Sequence, residues 1–397
     1  MHVPPFSLDK QLSEIGHDIE SAVSKVLLSG QYIGGQEVQA FETAFADFVS
    51  VPHVVGCNSG TDALVLALRS LDIGPGDEVI TVSFSFFATA EAIRIVGARP
   101  VFVDIDPSNY LININSIKKA ISSSTKAILP VHLFGCPVDM DQLMNIAREN
   151  ELKVVEDCAQ AAGAYWNGKP VGSWGDIGCF SFFPTKNLGG AGDGGAVSTK
   201  DPYLAKRIRE LSTHGMPKRY FHTDIGYNSR LDALQAAILN VKLPYLTRWV
   251  NKRKEIAKRY QNLLSQISCI ELPETSIDQP LVHAWNQFVV KVKTPSSENK
   301  SLIKGLYSKA ENIKDDIHFF NSRDSLKDSL SKKGVNTIIY YPIPIHLQPA
   351  FSKLDSKSDD LVHTEQISCE VLSLPIFPEL SIEQQQYVVD NIIQILK

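Results

Sequence analysis

The sequence predicts an α/β protein in two parts, a large domain around a mostly parallel sheet and a smaller C-terminal α+β domain. Three observations lead there. From about Gly56 to Thr199, short β-branched or apolar runs alternate with amphipathic stretches, the texture of repeated strand–helix units. After about Leu272 this rhythm gives way to isolated strands and helices around a polar stretch. The 397 residues, 44% of them hydrophobic, suffice for a large core and a second domain. The expected division is 1–247 and 248–397.

In chain order, the strands are expected at Glu78–Val82, Pro100–Asp104, Ala127–Leu133, Lys153–Glu156, Ile177–Phe183 and Gly195–Ser198. Asp62–Leu71 has helical apolar spacing and stops at Gly74-Pro75-Gly76-Asp77, and Met140–Asn150 repeats that spacing ahead of the strand at Lys153. Asp201–His214 is the next helix; Arg230–Asn240 and Arg248–Leu264 are long helices leading out of the large domain. Beyond Leu272 the pattern predicts a strand at Ala284–Val292, a helix at Arg323–Lys333, a strand at Thr337–Tyr341 running into the proline-rich Tyr341–His346, and a closing helix at Ile382–Leu396. Thr294–Asn321, rich in Ser, Lys, Asp and Glu, reads as an exposed insertion with some helix.

Composition and absent motifs narrow the function. A net charge of −5 without a long Lys/Arg run argues against general nucleic-acid binding. Six scattered cysteines, with no C-x-x-C pair and no His/Cys cluster of zinc spacing, predict neither a disulfide framework nor a structural metal, and suit a reducing cytoplasm. Met1–Lys10 lacks the basic start and apolar stretch of a signal peptide, and no eighteen-residue apolar run predicts a membrane span. Dinucleotide-binding, Walker, nucleophile-elbow and H-E-x-x-H signatures are all missing.

Chemistry concentrates around Lys186, where an apolar strand ends in Pro184-Thr185-Lys186 and opens into Asn187-Leu188-Gly189-Gly190-Ala191-Gly192-Asp193-Gly194-Gly195. A lysine at the lip of a glycine-rich loop is placed to form a Schiff base, whereas an isolated lysine after a strand is usually just a surface residue. Ser59-Gly60-Thr61-Asp62 opens a helix; it is a phosphate cradle or a plain N-cap. Ser181 precedes Lys186 by five residues and offers a hydroxyl. Asp157 ends an apolar strand, where open α/β sheets put ligand-binding groups; beside a pyridine nitrogen it would keep that nitrogen protonated, and otherwise it caps a turn. Gln160 follows on the same turn, and Phe86 offers either a stacking face or a core aromatic.

The order Ser-Gly-Thr, Asp-x-x-Gln, Ser-x-x-x-x-Lys and Gly-Asp-Gly-Gly resembles the DegT/DnrJ/EryC1/StrS nucleotide-sugar aminotransferases, pyridoxal-phosphate enzymes of fold type I, the aspartate-aminotransferase fold. The likeness runs from Ile15 to about Leu264 and resumes at Arg323; it includes Gly226–Ala237. The resemblance implies pyridoxal 5'-phosphate held as a Schiff base by Lys186, with Asp157 on the pyridine nitrogen, Gln160 on the ring oxygen and Phe86 on the ring face. Gly60, Thr61 and Ser181 would hold the phosphate, joined by Asn228 from the other subunit of a homodimer. Arg230, Tyr341 and Tyr32 fall near the substrate, and Lys218-Arg219 are candidates for a diphosphate. L-glutamate would give its amine and leave as 2-oxoglutarate, and a nucleotide-diphosphate keto sugar would receive it. The Asn-Leu-Gly…Gly-Asp-Gly-Gly loop resembles that of relatives acting at C3 of a hexose, so a 3-keto sugar is preferred over 4-keto sugars and cyclitol ketones. Two departures stand out: Asn286 where many relatives have a second histidine, and the length of Thr294–Asn321. Related dehydratases carry His in place of the lysine, and a non-catalytic protein of the same fold is the remaining alternative.

Overall fold

The computed structural model describes residues 1–273, 281–293, 322–351 and 360–396. Two helices, α1 (Asp9–Ser29) and α2 (Gln36–Phe48), precede β1 (His53–Cys57) and α3 (Gly60–Ser70). Then come β2 (Glu78–Val82), α4 (Ala88–Ile95), β3 (Arg99–Val103), α5 (Ile114–Ala120), β4 (Thr125–Ile128), α6 (Met140–Glu149) and β5 (Lys153–Asp157). Two short strands, β6 (Tyr165–Trp166) and β7 (Lys169–Pro170), lead to β8 (Ile177–Ser181), β9 (Gly195–Thr199) and α7 (Pro202–Leu211). The helices α8 (Ala233–Lys242) and α9 (Leu246–Leu264) follow. The rest comprises β10 (Ile270–Glu271), β11 (Leu281–Val282), β12 (Phe288–Val292), α10 (Ser322–Lys332), α11 (Val362–Glu370), β13 (Val371–Leu374) and α12 (Ile382–Leu396).

The large sheet has seven strands in the order β1-β9-β8-β5-β4-β2-β3. Only β9 runs against the others, pairing antiparallel with both β1 and β8. The mostly parallel sheet expected from the alternating pattern is therefore present. Its inner strands carry consecutive buried apolar residues, Val79-Ile80, Ala127-Ile128 and Val154-Val155, because helices cover both faces. A second packing centre joins Phe41 and Phe45 of α2 to Phe180 and Phe182, with edge-on ring pairs 5.0 to 5.3 Å apart. The third surrounds the small antiparallel sheet β10-β12-β13, packed by α9, α10 and α12. Helix α9 contributes to two of these centres, Leu246 and Val250 to the second, Ile256, Tyr260 and Leu264 to the third.

Several expected elements differ in extent. The strand expected at Ala127–Leu133 stops at Ile128; Pro130 follows, and Leu133–Gly135 form a 3-10 turn with Phe134 at φ 58°. The strand expected from Ala284 begins at Phe288, because Ala284 and Asn286 give their N–H groups to the carbonyls of Gly135 and Phe134 instead. Arg230–Asn240 is shifted to Ala233–Lys242 by the Asp232 side chain, which accepts from Gln235 N at the helix start. The strand expected at Thr337–Tyr341 is not formed: Ile338 alone bridges to Ser373, and Pro342 and Pro344 beyond it have no N–H to extend a ladder. The expected insertion, Thr294–Asn321, lies outside the described residues. Among the described residues no helix is long and apolar enough to cross a membrane.

Candidate active site

Parallel strands bring their carboxyl ends to one edge of the sheet, and loops leaving those ends diverge to leave a crevice. The ends of β2, β5 and β8 and the start of α3 enclose a cavity of about 620 Å³. Gly60, Thr61, Phe86, Asp157, Gln160, Ser181, Lys186 and Tyr341 line it, residues spread over 281 positions of sequence yet gathered at one edge. Asn228, Arg230, Lys218, Arg219 and Tyr32 do not line it.

At one rim the Ser59 side chain caps α3, accepting from Asp62 N at 3.1 Å. The N-cap reading of this segment therefore holds, and it is compatible with a cradle: the N–H groups of Gly60 and Thr61 in the first turn have no acceptor within the helix. A Cβ on Gly60 would stand 2.7 Å from Ser181 Cβ, so only glycine lets the helix start reach the serine hydroxyl. Backbone N–H donors, a positive helix end and a hydroxyl converge there, a donor set that fits a phosphate.

Asp157 is buried, and desolvation pushes its carboxyl above the usual range. Opposing this are Ala159 N, which donates to Oδ1 at 3.1 Å, Thr89 Oγ1, which donates to Oδ2 at 2.9 Å, and the positive charge of Lys186. A buried carboxylate facing a cavity suits a cationic N–H partner such as a pyridinium. Burial likewise lowers the Lys186 amine to about 8, with Asp157 pulling it upward. The side chain stays partly reachable because its enclosing walls belong to the cavity. Phe86 is 58% exposed for so large an aromatic, and its ring stands 6.3 Å from that of Tyr341. The core alternative for Phe86 is thereby overturned.

Gln160 accepts from Phe134 N at 2.6 Å and donates to the Tyr341 hydroxyl at 2.8 Å. Asn286 is buried off the cavity wall; it donates to Asn187 Oδ1 at 2.9 Å and to the Thr185 carbonyl at 3.4 Å, gripping the loop on both sides of Lys186. Outside the cavity, Arg230 donates to Asn228 Oδ1 at 2.5 Å, Arg219 lies over the Tyr220 ring at 5.1 Å, and the Tyr32 hydroxyl donates to the Leu27 carbonyl at 3.2 Å. Sequence reasoning missed Ser85, Thr89, Gln287 and Tyr340, which also line the cavity. For Ser85 and Thr89 the available signal was a pair of hydroxyls four residues apart, directly after the Glu78–Val82 strand.

His132, Glu156 and Cys158 lie close enough together to suggest a metal site. His132 is already committed: Nδ1 accepts from Val138 N at 3.1 Å, so Nε2 carries the proton and meets Glu156 Oε2 at 3.1 Å. Glu156 also accepts from the N–H groups of Gly172, Trp174 and Gly175. His132 and Glu156 thus form a hydrogen-bonded brace beside Asp157.

A lysine amine and a buried carboxylate facing one cavity, with a helix N-terminus at its rim, define the fold and site of a cofactor-dependent α/β enzyme. The chain belongs to the DegT/DnrJ/EryC1/StrS aminotransferase family, whose model matches residues 13–322 and 318–393. It is 41% identical over 393 residues to a pleiotropic regulatory protein of Geobacillus stearothermophilus, spanning 99% of this chain and 98% of that one. It is 43% identical to a UDP-N-acetyl-3-dehydro-alpha-D-glucosamine 3-aminotransferase of Acidithiobacillus ferrooxidans (96% and 95% covered). It is 39% identical to a dTDP-3-amino-3,4,6-trideoxy-alpha-D-glucose transaminase of Streptomyces venezuelae (98% and 95%). Among solved structures, DesV of S. venezuelae in complex with a ketimine intermediate superposes with a TM-score of 0.89 at 38% identity, covering 100% and 99%. The ntda protein of Bacillus subtilis with bound cofactor pmp gives 0.82 at 32%, covering 100% and 85%.

Proposed function

We propose that this protein uses pyridoxal 5'-phosphate to transfer the amino group of L-glutamate to a nucleotide-linked keto sugar, preferably a 3-keto hexose, forming an amino sugar and 2-oxoglutarate. The observation that carries this reading is the meeting of Lys186 and Asp157 in one cavity with the α3 N-terminus. Bound there, the cofactor supplies an electron sink for the carbanion beside the transferred nitrogen. Lys186 would hold it, and its amine would move the donor's Cα proton. Asp157 holds the charge of the ring nitrogen, Gln160 meets the ring oxygen and Phe86 covers a ring face. Ser181 and the N–H groups of Gly60 and Thr61 hold the phosphate.

Support for the sugar substrate comes from relatives named for 3-amino or 3-keto nucleotide sugars, together with the DesV structure. A dehydratase would need His in place of Lys186. The relative named as a regulatory protein leaves the chemistry open, but this chain keeps Lys186, Asp157, Gln160 and Ser181 together.

The same reading makes the protein a homodimer with shared sites. Leu28, Ile33, Tyr220, Phe221 and Ile225 are exposed apolar side chains of the kind a subunit interface covers. Asn228 and Arg230 stand off their own cavity, as residues serving a partner's site would; Lys218 and Arg219 are candidates for the sugar's diphosphate, and Tyr32 for the substrate mouth. The large unit is 1–247 and the small one 248–397, and a cytoplasmic location suits six free thiols.

The test is spectroscopic. Purified protein should show the visible band of lysine-bound cofactor and lose it when glutamate is added. Protein loaded with pyridoxamine phosphate is then offered 3-keto and 4-keto sugars on thymidine and uridine diphosphates. No change with any amino donor defeats the enzyme reading; return of the band with 4-keto sugars alone defeats the C3 preference.

A further inference from the structure

Two buried hydroxyls stand behind Asp157. Thr89, in the first turn of α4, donates from Oγ1 to Asp157 Oδ2 at 2.9 Å, and Ser85 Oγ lies 2.8 Å from Thr89 Oγ1. A threonine hydroxyl has one hydrogen, and here the carboxylate takes it. Ser85 must therefore be the donor in the second bond, so the chain runs Ser85 to Thr89 to Asp157. Asp157 Oδ1 is held separately by Ala159 N at 3.1 Å. Both hydroxyl residues are buried, both line the cavity, and both come from the segment after β2, not from the strand that carries Asp157.

We propose that Thr89, polarised by Ser85, is a positioning residue that keeps Asp157 ionised and oriented toward the ring nitrogen of bound pyridoxal phosphate. The proposal rests on the cofactor reading above. The physical need is plain, because burial disfavours the charged carboxylate and a neutral carboxyl cannot hold a pyridinium. Each donated hydrogen bond favours the charged form, and a donor that is itself receiving a hydrogen bond donates more strongly. A carboxylate has about four lone-pair sites. Thr89 and Ala159 take one on each oxygen, which fixes the plane of the group and leaves a lone pair for the ring.

Thr89→Val replaces the hydroxyl by a methyl of similar volume, and Thr89→Ser retains it. Cofactor affinity of the full-length protein is measured by titrating pyridoxal phosphate and following its absorbance, alongside the unfolding temperature without cofactor. The Val variant should bind at least about tenfold more weakly, the loss of a hydrogen bond to a charged group, while the Ser variant stays within about threefold of wild type. Ser85→Ala, which leaves the Thr89 bond intact, should show a smaller loss of about threefold and tests the same chain if the Val variant does not fold. In an Asp157→Asn background the Val substitution should add less than about twofold, since no charge remains to be held. Wild-type affinity in both Thr89→Val and Ser85→Ala, an equal loss from Thr89→Val in both backgrounds, or a Ser variant as weak as the Val variant overturns the proposal alone. Wild-type protein that fails to bind pyridoxal phosphate overturns the cofactor reading and the proposal with it.

Discussion

Gln160 and Tyr341, 181 residues apart in sequence, are joined by a 2.8 Å hydrogen bond in which the carboxamide nitrogen donates to the phenol oxygen. Phe134 N, donating to Gln160 Oε1 at 2.6 Å, fixes which end of the amide faces the tyrosine. Burial pushes the Tyr341 hydroxyl well above its ordinary range, so it stays a neutral phenol. With its oxygen already accepting, its hydrogen is free to be donated to a ligand. Tyr341→Phe keeps the ring contacts with Phe84 and Phe86 but removes that donor. We expect kcat/KM to fall about tenfold with little change in cofactor affinity; steady-state kinetics with an unchanged kcat/KM would remove Tyr341 from substrate recognition.

Lys186→Ala should lower turnover by at least about a thousandfold, because both covalent capture and proton movement depend on the amine. The variant should still retain pyridoxal phosphate on equilibrium dialysis, since the contacts proposed for Asp157, Ser181 and the start of α3 do not involve the lysine. Turnover near wild type would show that another base serves.

The pH dependence of cofactor capture follows from the lowered Lys186 amine. Burial brings it to about 8 against the upward pull of Asp157, and only the neutral amine is nucleophilic. Capture of added pyridoxal phosphate by cofactor-free protein should therefore accelerate about tenfold per pH unit below that value and level off above it. Stopped-flow absorbance that continues to climb to pH 10 would instead assign an ordinary, solvated lysine.

The shared-site reading predicts complementation. An Asn228/Arg230 double substitution and Lys186→Ala should each be weak as homodimers, yet mixing them should restore up to one intact site per heterodimer. If mass spectrometry confirms subunit exchange and activity does not return, all ligands come from one chain.

Much of the central sheet was legible in sequence, because strands buried on both faces need apolar side chains at consecutive positions; Val79-Ile80 and Val154-Val155 supply them in Glu78–Val82 and Lys153–Asp157. Gly60 and Lys186 were likewise visible from local chemistry, a helix start and a glycine-rich loop. The edge strand His53–Cys57 was not picked out: its place is set by antiparallel pairing with Gly195–Thr199, well over a hundred residues later. Thr337–Tyr341 has the residues of a strand, but Ile338 alone found a partner, and Tyr341 serves the cavity instead.

By itself the sequence determined the family, the α/β architecture and the lysine and carboxylate of the site, since each depends on residue type and short-range spacing. Tertiary structure alone decided how those groups are held. The Ser85–Thr89–Asp157 chain, the Gln160 bond to Tyr341 and the Asn286 grip on the Lys186 loop all join segments distant in sequence. Hydrogen bonds are set by distances of about 3 Å between atoms, and only the packed sheet and its loops bring these atoms that close.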